Sequence, residues 1–307
     1  MTGPLAECRA VSRRFGQFSA VDRVDLDLHG GEVVGLLGAN GAGKTTLIRM
    51  LLGLLPTSAG EVRLFGGPPS REARRRIGYV PQTLGLYDDL TPAENQSFVA
   101  AVFGHGRRPR RRDHRPAGDA APQTALSPAM RRYARIPVRD LPLGVQRRTA
   151  FAEALSHQPE LLILDEPTSG VDPLARARLW ETIAGAAAAG AGVLVTTHYL
   201  DEAGECGRLV IMADGRVVAR GTARQIIGGT RVTVVQADEW AAALRALDAA
   251  GLPAALAGRT LRVPGAGPAA VRRVLGPLAA RVSVAPATLD ERFFQLTADS
   301  EQVRAGG

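Results

Sequence analysis

Lysine is almost missing from this 307-residue chain: of 38 basic residues one, Lys44, is lysine and the other 37 are arginine. Aromatic residues make up 5% of the chain, and there are two cysteines, Cys8 and Cys206. Two cysteines give no disulfide framework and make a reducing compartment the default. No run of about 18 uncharged apolar residues occurs, so no membrane-spanning helix is expected. The longest candidate, Thr182 to Thr197, is rich in alanine and broken by Gly185, Gly190 and Gly192. The first residues lack the basic-then-apolar pattern of a signal peptide. The formal net charge of +8 is compatible with nucleic acid or an anionic membrane surface. It is equally compatible with an arginine-biased composition that has no particular partner.

What is present gives the single lysine its meaning. Gly38-Ala39-Asn40-Gly41-Ala42-Gly43-Lys44-Thr45-Thr46 fits G-x-x-x-x-G-K-[ST], the phosphate-binding loop of nucleotide triphosphatases. The apolar run Val33 to Leu37 before it reads as a buried strand, and Leu47 to Leu52 after it as a helix. A strand, a glycine turn and a helix N-terminus aim several backbone N–H groups at one place, and the helix dipole adds to them. Lys44 is expected to reach the β- and γ-phosphates, and the Thr45 hydroxyl to bind Mg²⁺. A phosphate cradle needs a compact charge on a flexible stem, and a planar guanidinium is not equivalent.

Length and patterning predict an α/β protein with two domains. Residues 5–65 read as a β-rich lobe, with strand-like runs at Cys8–Val11 and Val24–Leu28. Phe15, upstream of the phosphate loop, could stack on adenine or be an ordinary core residue. Ile77 to Gln82 reads as a strand ending in Gln82. Leu161-Leu162-Ile163-Leu164 followed by Asp165-Glu166 reads as a buried strand with two acids at its C-terminal end, where ligands bind in open α/β sheets. Leu141 to His157 and Leu174 to Ala189 read as helices. Gly192 to His198 is a further buried strand ending in histidine. Leu209–Ala213 and Val217–Ala219 predict a hairpin across Asp214-Gly215. Beyond Gly228-Gly229 a β-α-β-α-β order, closed by a helix near 290–296, predicts a small accessory domain.

The phosphate loop, Tyr79-Val80-Pro81-Gln82, Leu161 to Asp172 and Thr196-Thr197-His198 stand in a specific order. In that order they resemble the nucleotide-binding subunit of ABC transporters, over about residues 5–227. The resemblance implies a P-loop ABC ATPase fold with a β-rich N-terminal lobe. It divides the chain into a nucleotide-binding domain (1–228), containing a helical subdomain (about 84–157), and a C-terminal accessory domain (229–307). It implies ATP bound by Phe15, Gly38, Asn40, Gly41, Gly43, Lys44, Thr45 and Thr46, with Mg²⁺ near Thr45, Gln82 and Asp165. It makes Glu166 the carboxylate that positions the attacking water. Gln82 becomes the sensor of metal and γ-phosphate that couples to a membrane partner, and His198 the γ-phosphate contact. Asp172 becomes a dimer-interface aspartate. Phosphoryl transfer is mostly positioning and charge neutralisation, which this set can supply.

Two stretches depart from the family pattern. Where the family carries L-S-G-G-Q, a signature that acts on the ATP held by a second subunit, this chain has Leu141-Pro142-Leu143-Gly144-Val145. The serine hydroxyl is absent, while the helix dipole remains. The version resembles that of a subset of bacterial ABC-2-type export ATPases. Residues 104–136 carry Arg107-Arg108-Pro109-Arg110-Arg111-Arg112 and then Pro116, Pro122 and Pro128, which break helices. A basic segment touching lipid or partner, an insert with little order and a local frameshift are all open readings of that stretch. The tail from about Thr230, ending Leu289 to Leu296, resembles the small C-terminal domain of drug-export ATPases.

The resemblance implies an ATPase that powers export through a separate membrane permease of ABC-2 type. It would work with a second ATPase subunit, identical or different, at the cytoplasmic face of a bacterial membrane. Two alternatives remain: a non-transport ABC protein acting on nucleic acid, and a nucleotide-dependent regulator that hydrolyses ATP slowly. One nucleotide domain and no long heptad segment speak against the first, so nucleic acid is not an expected partner.

Overall fold

The computed structural model describes residues 3–103, 132–278 and 281–305. The arginine and proline window from 107 to 128 lies outside the described residues.

The chain begins as a hairpin of β1 (Ala6–Phe15) and β2 (Phe18–Leu28), turning at Gly16-Gln17. Both strands run longer than the sequence pattern predicts. Their outer halves carry the charged residues Arg13, Arg14, Asp22 and Arg23, and register shifts between Cys8 and Val11 and on to Arg14 break the alternation of apolar positions. After β3 (Val33–Leu37) and α1 (Lys44–Leu51), strand β4 (Ala59–Leu64) returns to the free edge of β1. The result is a three-stranded antiparallel sheet in the order β2-β1-β4.

The second sheet positions the site. It collects β3, β5 (Ile77–Val80), β6 (Leu161–Asp165), β7 (Gly192–Thr197), β8 (Arg208–Ala213) and β9 (Arg216–Gly221) in the order β5-β6-β7-β3-β8-β9. The first five strands are parallel and β9 is antiparallel. Parallel strands covered on both faces read as continuous apolar runs, and every residue of β6 and β7 is buried. The β8–β9 hairpin turns at Asp214 and Gly215, both with positive φ, as a two-residue type I′ turn requires. Between the strands lie α2 (Arg71–Arg74), α3 (Pro92–Phe103), α4 (Leu143–Leu155) and α5 (Pro173–Ala188), and α6 (Ala223–Ile227) follows β9. Helix α4 starts two residues later than the sequence predicts. Pro142 is its N-cap, with φ −56° and ψ 142°, and offers no side-chain cap.

The C-terminal part runs β10 (Arg231–Gln236), α7 (Trp240–Ala249), β11 (Ala255–Ala257), β12 (Thr260–Val263), α8 (Pro268–Leu275), β13 (Arg281–Pro286) and α9 (Leu289–Ala305). Its antiparallel sheet has the order β11-β12-β10-β13. This β-α-β-β-α-β arrangement is ferredoxin-like, one strand richer than the sequence reading. Ala255-Leu256-Ala257 has no β-branched residue, so propensity gives no strand there. The strand exists because its neighbour β12 pairs with it. Helix α9 returns to the first part, where Leu289 and Phe293 join the cluster of Leu209, Ile211 and Ile226.

Candidate functional site

The site grows from the C-terminal ends of β3, β5, β6 and β7. The loop after β3 is shaped by its glycines. Gly43 is the N-cap of α1 with φ 96°, a region that strains any residue with a Cβ. A Cβ there would collide with the Ala20 carbonyl oxygen, and one at Gly38 would meet Met212 O at 2.6 Å. The loop therefore wraps tightly around the Lys44 side chain, which is 5% exposed. Its Nζ donates to Gly38 O at 2.7 Å and to Ala39 O at 3.2 Å. An ammonium has three N–H donors, so one remains for a ligand. Burial lowers the Lys44 pKa, and the charges of Glu166 and Asp165 oppose that shift.

Asp165 ends β6 and is 1% exposed. Its Oδ1 accepts from the Thr196 hydroxyl at 2.7 Å, and its Oδ2 has no hydrogen-bond partner. A buried carboxylate oxygen without a donor is costly unless a cation uses it. Hard cations such as Mg²⁺ take one or two protein oxygens and complete their shell with water and phosphate. Asp165, the half-buried Thr45 hydroxyl and the Gln82 amide carry oxygens of the hard kind that such an ion takes. Among the described residues no cluster of three or more His, Cys, Asp and Glu could hold a metal by protein ligands alone.

Glu166 is where the predicted residues meet. Its Oε2 accepts from Gln82 Nε2 at 3.4 Å and stands 3.5 Å from His198 Nδ1, while its Oε1 stands 3.8 Å from Lys44 Nζ. Gln82 follows β5, Glu166 follows β6, His198 follows β7 and Lys44 follows β3, so adjacent parallel strands deliver all four. The His198 ring also packs on Tyr199, with centroids 4.1 Å apart. Glu166 has φ 51°, a left-handed backbone that costs a non-glycine residue about 1–2 kcal/mol. Its N–H donates to Thr196 Oγ1 at 2.8 Å. Its carbonyl accepts from Arg147 at 3.1 Å.

Thr196 and Arg147 are the functional residues that sequence reading missed. Thr196, with Thr197, follows the apolar run of β7, and register places it beside Asp165. Arg147, on α4, is one arginine among 37, and no local signal marks it.

Among the described residues the other predicted residues make no hydrogen bond or ion pair with the Glu166 side chain. Phe15, at the tip of the β1–β2 hairpin, is 47% exposed, and the Arg13 guanidinium lies 4.6 Å from its ring centroid. The core alternative for Phe15 is thereby overturned. Asn40 and Gly41 are exposed at the rim of the phosphate loop, and Thr46 is half-buried in the first turn of α1. Asp172 caps α5, accepting from Ala175 N at 2.9 Å. At the signature stretch Leu141 is buried, Pro142 and Leu143 are exposed and Gly144 is half-buried. Leu143 fits closely over Gly170: a Cβ on that glycine would lie 3.1 Å from Leu143 Cδ2.

A sequence-family model described as ABC transporter matches residues 21–169. The chain is 38% identical over 222 residues to the probable multidrug ABC transporter ATP-binding protein YbhF of Escherichia coli K12. That match spans 71% of this chain but 37% of the relative. Against the Nod factor export ATP-binding protein I of Cupriavidus pinatubonensis it is 36% identical over 307 residues, spanning 95% of this chain and 90% of the relative. Among solved structures, an ATP-binding subunit of an ABC transporter superposes with a TM-score of 0.65 at 26% identity. That superposition covers 95% of this chain and 99% of the other.

Proposed function

The chain belongs to the ABC transporter ATP-binding family, a family of ATP-hydrolysing P-loop enzymes, and from that premise we propose that it powers export through a separate membrane permease. The observation that carries the catalytic part is the Glu166 carboxylate, met by Gln82, His198 and Lys44 at 3.4, 3.5 and 3.8 Å. ATP binds with its phosphates in the loop from Gly38 to Thr46. Backbone N–H groups at the start of α1 and the third donor of Lys44 face the phosphate oxygens. Phe15 offers its exposed ring to adenine. Thr45, Asp165 Oδ2 and Gln82 would hold Mg²⁺, which would supply neutralisation of phosphate charge. Glu166 accepts a hydrogen bond from the attacking water and aims its oxygen at the γ-phosphorus. The water oxygen bonds to the γ-phosphorus as the bond to the β–γ bridging oxygen breaks, and ADP keeps the electron pair. The water's proton passes by way of Glu166 to the released phosphate, and His198 donates a hydrogen bond to the γ-phosphoryl group in transfer.

Hydrolysis serves transport when a second ATPase subunit and a membrane partner are engaged. The helix dipole of α4 and the Leu141-Pro142-Leu143-Gly144 turn face the partner subunit's ATP in this reading, with Asp172 at the same interface. The reading places the chain peripherally at the cytoplasmic face of a bacterial membrane; among the described residues no helix is long and apolar enough to cross a membrane. The exposed Tyr87 and Phe98, packed edge to face with centroids 4.9 Å apart, supply an apolar surface for the permease in the segment that follows Gln82. The relatives' names refer to multidrug and Nod factor export, and an ABC-2-type exporter is the form proposed here. The cargo is chosen by the membrane subunit.

Steady-state ATP turnover of the full chain, measured beside Glu166→Gln, tests the reading. Turnover of the wild type at least ~100-fold above the variant, with ATP affinity unchanged, is expected for loss of the water-positioning carboxylate. Equal turnover of the two proteins, alone and with the membrane partner, would sink it.

A further inference from the structure

Among the described residues the most deeply placed cation outside the phosphate loop is Arg147, on the second turn of α4 and 5% exposed. Its Nη1 donates to Glu166 O at 3.1 Å and Pro167 O at 2.9 Å, and its Nη2 to Ser169 O at 2.5 Å. Burial lowers its pKa and the Glu166 charge opposes that shift, so the guanidinium is a desolvated cation facing the catalytic loop. No carboxylate forms an ion pair with it among the described residues. Three backbone carbonyls take its hydrogen bonds instead. A buried charge that spends its donors on one short loop is expensive to maintain, and a helix seeking only stability would place a leucine there.

The loop it holds is strained. Glu166 has φ 51°, and such backbone persists only when its surroundings over-determine it. Two buried side chains grip this residue from opposite sides: Thr196 takes its N–H and Arg147 takes its C=O. Only Arg147 comes from the helix that begins at the signature stretch. Leu143, one turn before Arg147, packs over Gly170 at the far end of the same loop. The start of α4 and residues 166–170 are therefore joined at two points, one polar and one apolar.

We infer that Arg147 is a positioning residue: it fixes the Glu166 peptide in its left-handed conformation and transmits displacement of the signature helix to the catalytic carboxylate of the same subunit. Movement of α4 against the partner's nucleotide drags three carbonyls of the catalytic loop with it. A misplacement of the carboxylate by about 1 Å is enough to change turnover by ~100-fold. The inference rests on the ATPase reading for its kinetic consequence, but not for its structural one.

The test uses the full chain with Arg147→Gln and Arg147→Lys, Glu166→Gln serving as the non-hydrolysing baseline. Amide hydrogen exchange is measured with Mg²⁺ and ATP present. Arg147→Gln is expected to speed exchange about tenfold in residues 166–171 and in the first turn of α4 together, leaving residues 38–46 unchanged. Its kcat falls ~10- to 100-fold with KM and ATP affinity within twofold. Arg147→Lys, which keeps the charge but has no planar fork, regains part of both. Unchanged exchange in 166–171, or exchange that rises in only one of the two segments, overturns the inference whether or not the protein hydrolyses ATP. So does parallel loss of ATP binding and of unfolding midpoint, which marks a merely structural role. A wild type no faster than Glu166→Gln refutes the ATPase reading, while the exchange experiment still decides the role of Arg147.

Discussion

Glu153→Gln is expected to remove a pH dependence of stability that one buried carboxyl imposes. Glu153 lies in the last turns of α4, is 8% exposed, and its Oε1 has no hydrogen-bond partner. Burial pushes its pKa from 4.5 up to about 8, so the folded protein keeps a proton there that the unfolded chain gives up. With the folded value raised, the stabilisation is fully present below pH 4.5 and is lost as pH rises through about 8. Each pH unit inside that window costs up to ~1.4 kcal/mol, rounding off near 8, so stability falls by about 2 kcal/mol between pH 6 and pH 8. Urea unfolding of wild type and Glu153→Gln at pH 6, 7, 8 and 9 measures it. Glutamine has the same shape and no charge to desolvate, so its stability curve is flatter by that amount. The variant is therefore the more stable protein at pH 9. Parallel curves across the series would refute the burial assignment. A wild-type curve that rises with pH relative to the variant would reverse its sign.

Two further substitutions probe other parts of the site. Phe15→Ala is expected to weaken ATP binding by about 1–3 kcal/mol, the worth of one base–aromatic stack, while Phe15→Tyr keeps it. A fluorescent ATP analogue read in titration checks this, and equal affinity for the Ala variant would remove Phe15 from the site. Thr196→Val takes away the donor to Asp165 and the acceptor for the Glu166 N–H, leaving that buried N–H unpaired at about 1–3 kcal/mol. Its turnover should fall and its Mg²⁺ requirement rise, and a normal Mg²⁺ titration would refute the pairing.

How much of this molecule could be read in advance differs from part to part. The phosphate loop was legible because its chemistry lies in nine consecutive residues whose backbone itself forms the cradle. The glycines are needed there by positive φ and by the nearness of Ala20 and Met212. Asp165 and Glu166 were legible because they end a buried strand, where ligands gather, while Gln82 and His198 were legible only through their order relative to the phosphate loop, which carries the family resemblance. The β1–β2 hairpin was read too short, since its outer half is charged and its register shifts break the alternation of apolar positions. The strand β11 was missed because pairing, and not propensity, holds three residues of alanine and leucine in place.

Sequence alone determined the chemistry on offer: a lone lysine in a glycine turn, two acids after a strand, a glutamine and a histidine in order. Chain-local rules decide these, because a turn, a strand end and a helix start are properties of adjacent residues. Tertiary structure decided which groups meet and which are held. The parallel order β5-β6-β7-β3 brings Gln82, Glu166, His198 and Lys44 within reach of one another. Register sets Thr196 beside Asp165, and helix packing buries Arg147 against the Glu166 carbonyl. These are long-range contacts, fixed by burial and by the need to satisfy buried polar atoms, and no window of neighbouring residues contains them.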